Sequence, residues 1–201
     1  MIQILPAGQP APQFVLADAD EEQLRLKDLL GRWVVLYFYP RDNTPGCTLE
    51  AIDFSRLREE FAALDAVIVG VSKDSCQSHR KFAARHGLSL LLLSDPDSTV
   101  QKSFGVWRPK KFMGREFLGT VRSTFLIDPA GKIARVWDNV RAAGHADEVL
   151  AELNRQRDQW KNSLKNNQIL EKCAVELVRT VRKKQGIYQK ARLKKSNNSS
   201  D

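Results

Sequence analysis

Residues 33–39, Trp-Val-Val-Leu-Tyr-Phe-Tyr, are seven apolar or aromatic residues in a row, bounded by Arg32 and Pro40. An amphipathic helix would break such a run with polar positions. A half-buried strand would alternate. A short continuous run of β-branched and aromatic residues fits a strand covered on both faces. This segment therefore requires helices on both sides of a sheet, which restricts the chain to an α/β architecture.

The neighbouring segments agree. A short strand is expected at 13–17 and a helical stretch at about 26–30. Leu49, Ile52, Phe54, Leu57, Phe61 and Leu64 recur at helical spacing directly after the apolar run. Residues 65–72, "DAVIVGVS", read as a second buried strand. Residues 75–87 read as a helix closed by Gly87, and "LSLLLLSD" contains a third strand. A short helix is expected at 98–104, followed by a loop or extended excursion, "GVWRPKKFMGREFLG". Residues 120–140 form a hairpin turning at Asp128–Gly131, and a closing helix follows from Gly144. Two βαβ crossovers and a final hairpin give a mixed central sheet with flanking helices. This order is compatible with a thioredoxin-like layout and with other mixed α/β folds.

Charge divides the chain. Residues 1–150 hold 19 Lys/Arg and 19 Asp/Glu, whereas residues 151–201 hold 13 and 5, so the whole net charge of +8 lies in the last quarter. The expected domains are 1–155 and a basic helical extension, 156–201. Ile169, Leu170, Cys173, Leu177, Val178 and Val181 make an apolar stripe on that extension, Gly186 interrupts it and the last residues are expected to be disordered. Such a tail permits salt-sensitive contact with polyanions or docking on a partner, but it lacks a nucleic-acid recognition motif. No apolar run reaches membrane-spanning length. Pro6, Pro10, Pro12 and two aspartates make the first twenty residues unlike a secretory signal, so a cytoplasmic protein is expected.

Cysteine usage is sparse: Cys47, Cys76 and Cys173. Three thiols are too few for a disulfide scaffold, CxxC spacing is absent, and neither metal nor organic cofactor is expected. Cys47 follows the buried strand within "YPRDNTPGCTLE". Thr44 can cap a helix and Pro45 suits its first position, which places Cys47 in the first turn. The strand delivers that turn to the carboxyl edge of the sheet, where α/β sites form. Unpaired N–H groups and the helix dipole there favour a thiolate. A reactive cysteine and a buried structural cysteine are both compatible with this placement. Glu50 occupies the CxxC partner position, so a thioredoxin-type CxxC dithiol is excluded. His79 and His86 are expected on the outward side of their helix, as solvent or packing residues rather than bases. Arg122, at the head of an apolar strand, is either a buried partner for an anion or an edge residue reaching solvent. Glu50 would hold that arginine or simply favour the first helical turn.

The blocks "YPRDNTPGCTLEAIDF", "GVSKDSCQSHRKF", "LLSDPD", "FGVW" and "VRSTFLIDPAGKI" together resemble the peroxiredoxins, and within them the bacterioferritin comigratory, or Q-type, subfamily. The resemblance covers residues 3–155 and implies a thioredoxin-like fold and reduction of hydrogen peroxide and organic hydroperoxides. The family pattern P-x-x-x-T-x-x-C falls on Pro40, Thr44 and Cys47. It implies that Cys47 is the peroxidatic thiolate, that Thr44 hydrogen-bonds the peroxide, that Arg122 activates the sulfur and that Pro40 shapes the pocket. The Glu50 position is commonly acidic in the subfamily. Relatives keep a resolving cysteine at positions occupied here by Ile52 or Ala83. Cys76 is therefore left as a candidate resolving thiol, beside a one-cysteine route through an external thiol. Thioredoxin or a similar dithiol is the implied reductant, and a monomer is expected. The competing reading is a polyanion- or partner-binding module that uses the basic tail.

Overall fold

The structure, a computed structural model, describes residues 3–112 and 114–166. The chain divides into two compact units, Met1–Arg155 and Gln156–Asp201. The first unit opens with β1 (Val15–Asp18), β2 (Gln23–Arg25) and a 3-10 turn at Leu26–Leu29. β3 (Trp33–Phe38), α1 (Pro45–Arg56), α2 (Arg58–Ala63), β4 (Ala66–Ser72), α3 (Cys76–His86) and β5 (Leu91–Ser94) follow. Then come α4 (Thr99–Ser103), β6 (Trp107–Phe112), β7 (Arg115–Thr120), β8 (Ser123–Ile127) and β9 (Ile133–Trp137), before a helix beginning at residue 145. Residues 156–166, the described part of the second unit, are helical. The tail stripe, Cys173 and Gly186 lie outside the described residues.

Seven strands form one sheet in the order β2-β1-β5-β4-β3-β8-β9. β3, β4 and β5 run parallel, while β8 pairs antiparallel with β3, and β1 with β5. Every residue of β3 is buried, because the strand is central and covered on both faces. Val34, Leu36 and Phe38 enter one core layer with Val69, Leu93, Phe104 and Phe125. On the opposite face Tyr37 stacks on Phe54 of α1 with ring centroids 4.8 Å apart. Each such buried side chain contributes roughly 1.5–3 kcal/mol, which makes β3 the mechanical base for whatever follows it in sequence.

One expectation needs correction, one open reading is decided and one strand is added. The helix over 49–64 is two helices, because Leu57 (φ −89°, ψ 6°) turns the chain so that both Leu57 and Phe61 are buried. The excursion after residue 105 is a regular antiparallel hairpin, β6–β7, forming a separate two-stranded sheet. The three-residue β2 adds an edge strand beside β1. Gly87 ends α3 in the left-handed region (φ 62°), as its position predicts.

Candidate active site

The chain leaves β3 at Phe38, and the Tyr39 amide still bonds Val71 O at 3.1 Å, so the following turn starts from a fixed point. Asn43 takes a left-handed conformation (φ 56°). Thr44 then adopts extended angles (φ −90°, ψ 149°) as the residue preceding α1, and Pro45 opens the helix. The Thr44 hydroxyl does not cap. It donates to Arg41 O at 3.1 Å, and the first helical bond is from Thr48 N to Thr44 O, 2.9 Å. Cys47 is thus the third helical residue, and it is 2% exposed. Pro40 and Thr44 are half-buried at the mouth of the turn.

Arg122 lies between β7 and β8, far away in sequence. Its Nη2 donates to Cys47 Sγ at 3.1 Å, and its Nη1 donates to Glu50 Oε2. Glu50 is fully buried one helical turn after Cys47. One guanidinium therefore spans the sulfur and the carboxylate, the planar two-pronged contact an ammonium cannot make. Burial pushes the Glu50 carboxyl up to about 7, against the pull of Arg122. Burial alone would lower the pKa of Arg122, but Glu50 and Cys47 outweigh it and the pKa is raised. Of the two readings of Arg122, the structure shows the partner for an anion, with the part-buried guanidinium paired to Glu50.

Cys76 is the first residue of α3, after the N-cap Ser75, whose hydroxyl accepts from Ser78 N at 3.3 Å. It is half-buried and borders an open groove of about 600 Å³ beside Ala17, Glu21, Lys73 and Gln77. Because β3 and β4 are parallel neighbours, α1 and α3 start at the same end of the sheet. Both thiols therefore stand at that end, and both are free. Ile52 is 42% exposed on α1 and Ala83 is half-buried on α3. Among the described residues no group of three metal-ligating side chains gathers, and no helix is long and apolar enough to cross a membrane.

This arrangement has known relatives. The sequence profile of the AhpC/TSA family matches residues 7–136. Peroxiredoxin Bcp of Bacillus subtilis is 47% identical over 146 residues, which cover 73% of this chain and 93% of the relative. Peroxiredoxin Bcp of Escherichia coli K12 is 42% identical over 146 residues, covering 73% and 94%. The chain belongs to the AhpC/TSA family. Among solved structures, the bacterioferritin comigratory protein of Xanthomonas campestris, known for alkyl peroxide reduction activity, superposes with a TM-score of 0.69 at 42% identity, covering 72% of this chain and 92% of that one. Peroxidoxin BcpB of Mycobacterium tuberculosis superposes with a TM-score of 0.67 at 37% identity, covering 75% and 97%. As an AhpC/TSA protein the chain has the thioredoxin-like fold and is a thiol peroxidase of the Bcp peroxiredoxin type.

Several groups around this AhpC/TSA site escaped the sequence reading. His79 faces inward, not outward: it is fully buried, with Nδ1 3.0 Å from Asp42 Oδ2. Asp42 also accepts from Tyr39 OH and Ser78 Oγ, both at 2.7 Å. Burial would raise the Asp42 pKa, but these partners, His79 foremost, hold it below the usual value. Lys110 on β6 donates to Thr120 O at 2.8 Å. Burial lowers its pKa, Arg122 adds to that effect, and Cys47 opposes it, which ties the ammonium to the site. The hint for Lys110 was a basic and aromatic excursion; the hint for Asp42 was its place inside the cysteine turn. His86 keeps a surface-proximal place, with Nε2 3.3 Å from Asn43 Oδ1.

Proposed function

We propose that residues 1–155 form the catalytic domain and that Cys47 is the peroxidatic nucleophile acting on hydrogen peroxide and organic hydroperoxides. The observation that supports this reading most directly is Arg122, which donates to Sγ at 3.1 Å while Glu50 holds its other prong. A cation beside a thiol favours the thiolate, and a fixed guanidinium costs no reorganisation during reaction.

In the proposed step the Cys47 thiolate attacks one peroxide oxygen in line with the O–O bond. An S–O bond forms, the O–O bond breaks, and the leaving oxygen departs with the electron pair as RO⁻. That anion takes a proton and leaves as ROH, while Cys47 becomes a sulfenic acid. Negative charge grows on the leaving oxygen, so donors aimed there stabilise the transition state more than the ground state. Arg122 and the Cys47 backbone N–H are the proposed donors. Because the Thr44 hydroxyl proton is engaged by Arg41 O, its oxygen is available to accept from the peroxide O–H and orient it. Pro40 closes the mouth of the pocket against water.

The sulfenic acid then condenses with a thiol, releasing water and leaving a disulfide. Cys76 supplies that thiol in one route, which requires α1 to unwind at its start, because Cys47 is buried and a disulfide needs close Cβ atoms. An external thiol supplies it in the other. Thioredoxin or a similar dithiol, acting in the cytoplasm on a monomeric enzyme, completes either cycle. A second reading rests on the basic extension, 156–201, as a polyanion contact that leaves the catalytic domain unaffected.

Stopped-flow oxidation of the reduced protein by hydrogen peroxide, followed by intact mass, tests the proposal. Wild type is expected to lose the Cys47 thiol rapidly, together with Cys76 if that residue resolves it, and Cys47→Ser is expected to lose none. Slow thiol loss in wild type would sink it. Accumulation of sulfenic acid in Cys76→Ser assigns resolution to Cys76, whereas wild-type behaviour of that variant assigns it to an external thiol.

A further inference from the structure

The turn that carries Cys47 is tied to the neighbouring βα unit on one side only. The Asp42 carboxylate accepts from Tyr39 OH (2.7 Å), Ser78 Oγ (2.7 Å) and His79 Nδ1 (3.0 Å). Its backbone N–H donates to Asp74 Oδ2 at 2.9 Å, and the same oxygen accepts from Ser72 Oγ at 2.7 Å. One residue on, Asn43 Oδ1 meets His86 Nε2 at 3.3 Å. Residues 39–43 are therefore fastened to the end of β4, to the β4–α3 turn and to α3. Beyond Asn43 the pattern changes. Thr44 bonds only locally, to Arg41 O. Among the described residues, the long-range side-chain hydrogen bonds of Cys47 and Glu50 go to Arg122 alone, while packing buries both. The left-handed Asn43 marks the boundary between the part fastened by hydrogen bonds to the β4–α3 unit and the part held by packing and Arg122.

We propose that Asp42 is a positioning residue whose carboxylate clamps the base of the Cys47 turn onto α3, and so sets the balance between a closed pocket that reduces peroxide and an opened first turn of α1 that presents the sulfenic acid to a thiol. This rests on Cys47 being the peroxidatic residue. A buried carboxylate with every partner in place is costly to break, and its partners lie on two elements that do not otherwise need to move together. The two fates of the sulfenic acid compete. In the closed pocket a second peroxide converts Cys47–SOH to Cys47–SO₂H and releases ROH. In the opened turn a thiol R′SH converts it to Cys47–S–S–R′ and releases water. Loosening the clamp shifts the balance toward the second.

The test uses full-length chain carrying Cys76→Ser and Cys173→Ser, with hydrogen peroxide as oxidant and 2-mercaptoethanol as thiol. Asp42→Asn keeps the shape but loses the charge, and Ser78→Ala removes one strut with little cost to folding. For Asp42→Asn the second-order constant with peroxide is expected to fall about tenfold, while capture of the sulfenic acid by thiol speeds up several-fold and less sulfinic acid forms at excess peroxide. Ser78→Ala is expected to move both constants the same ways by a smaller factor, and decides the matter if Asp42→Asn fails to fold. Opposed movement in Ser78→Ala at an unchanged urea-unfolding midpoint is the signature, because general destabilisation would lower that midpoint as well. Constants that fall together, or a ratio within twofold of the parent in Ser78→Ala, would overturn the clamp. A parent protein that shows no rapid Cys47 oxidation would instead overturn the assignment of Cys47.

Discussion

At the scale of single residues, Arg122 is asked to do two things with one planar group. Arg122→Lys keeps the charge but cannot span Glu50 and Cys47 Sγ together, so the second-order constant with hydrogen peroxide is expected to fall by about a hundredfold in stopped-flow assays. Two buried titrating groups make opposite demands on pH. The native state holds Glu50 at about 7 rather than 4.5, so it binds the proton more tightly than the unfolded chain does. That stabilisation is complete below about pH 4.5 and is lost as pH rises to about 7. Burial pushes His145 down from 6.5 to about 4, so its contribution is present above about pH 6.5 and is lost on acidification toward 4. The two slopes oppose each other over the shared window. Glu50→Gln removes one of them, and its urea-unfolding free energy is expected to drop by on the order of 2–3 kcal/mol between pH 6.5 and 4.5, where wild type stays comparatively flat. Cys47, Thr44, Pro40 and Glu50 were legible because they sit within eleven residues of one another on a strand-to-helix turn. His79 was not. Its neighbours Gln77, Arg80 and Lys81 are polar, and only the three-residue step to buried Phe82 marks the face on which it lies.

At the scale of elements, β3 could be read from sequence because burial on both faces leaves no polar position to confuse the period. The β6–β7 hairpin could not. Its strands pair only with each other, Pro109 and several basic residues interrupt the pattern, and Phe117 and Leu118 are about half exposed, so no inward-facing alternation exists to detect. Tertiary register carries information of a different kind. Gly70 lies opposite Tyr37 on the neighbouring strand, and a Cβ there would come within 2.6 Å of the Tyr37 ring and hydroxyl. The glycine in "VIVGVS" thus makes room for a phenol that packs on α1. Gly70→Ala is expected to destabilise the protein by about 1–3 kcal/mol in urea titration, through overpacking of a core that has no slack.

At the scale of the whole molecule, the charge partition sets the expectation. The neutral first 150 residues contain all the site residues, and the +8 lies beyond them. Truncation after Arg155 follows the boundary between the two compact units. The peroxide constant is expected to stay within about twofold, while retention on heparin at low salt is lost, checked by stopped flow and by chromatography of both lengths. A last consequence follows from where the proposed thiolate and its cation are mounted. Cys47 rides on the first turn of α1, whereas Arg122 sits on the connection that leads into β8, where Val140 N bonds its carbonyl at 2.9 Å. In the proposed cycle the sulfur swings out as the sulfenic acid and leaves Arg122 behind, and a thiolate regenerated outside would be drawn back toward it. The reductive half of the cycle would thus rewind the enzyme, with the released charge acting as the latch.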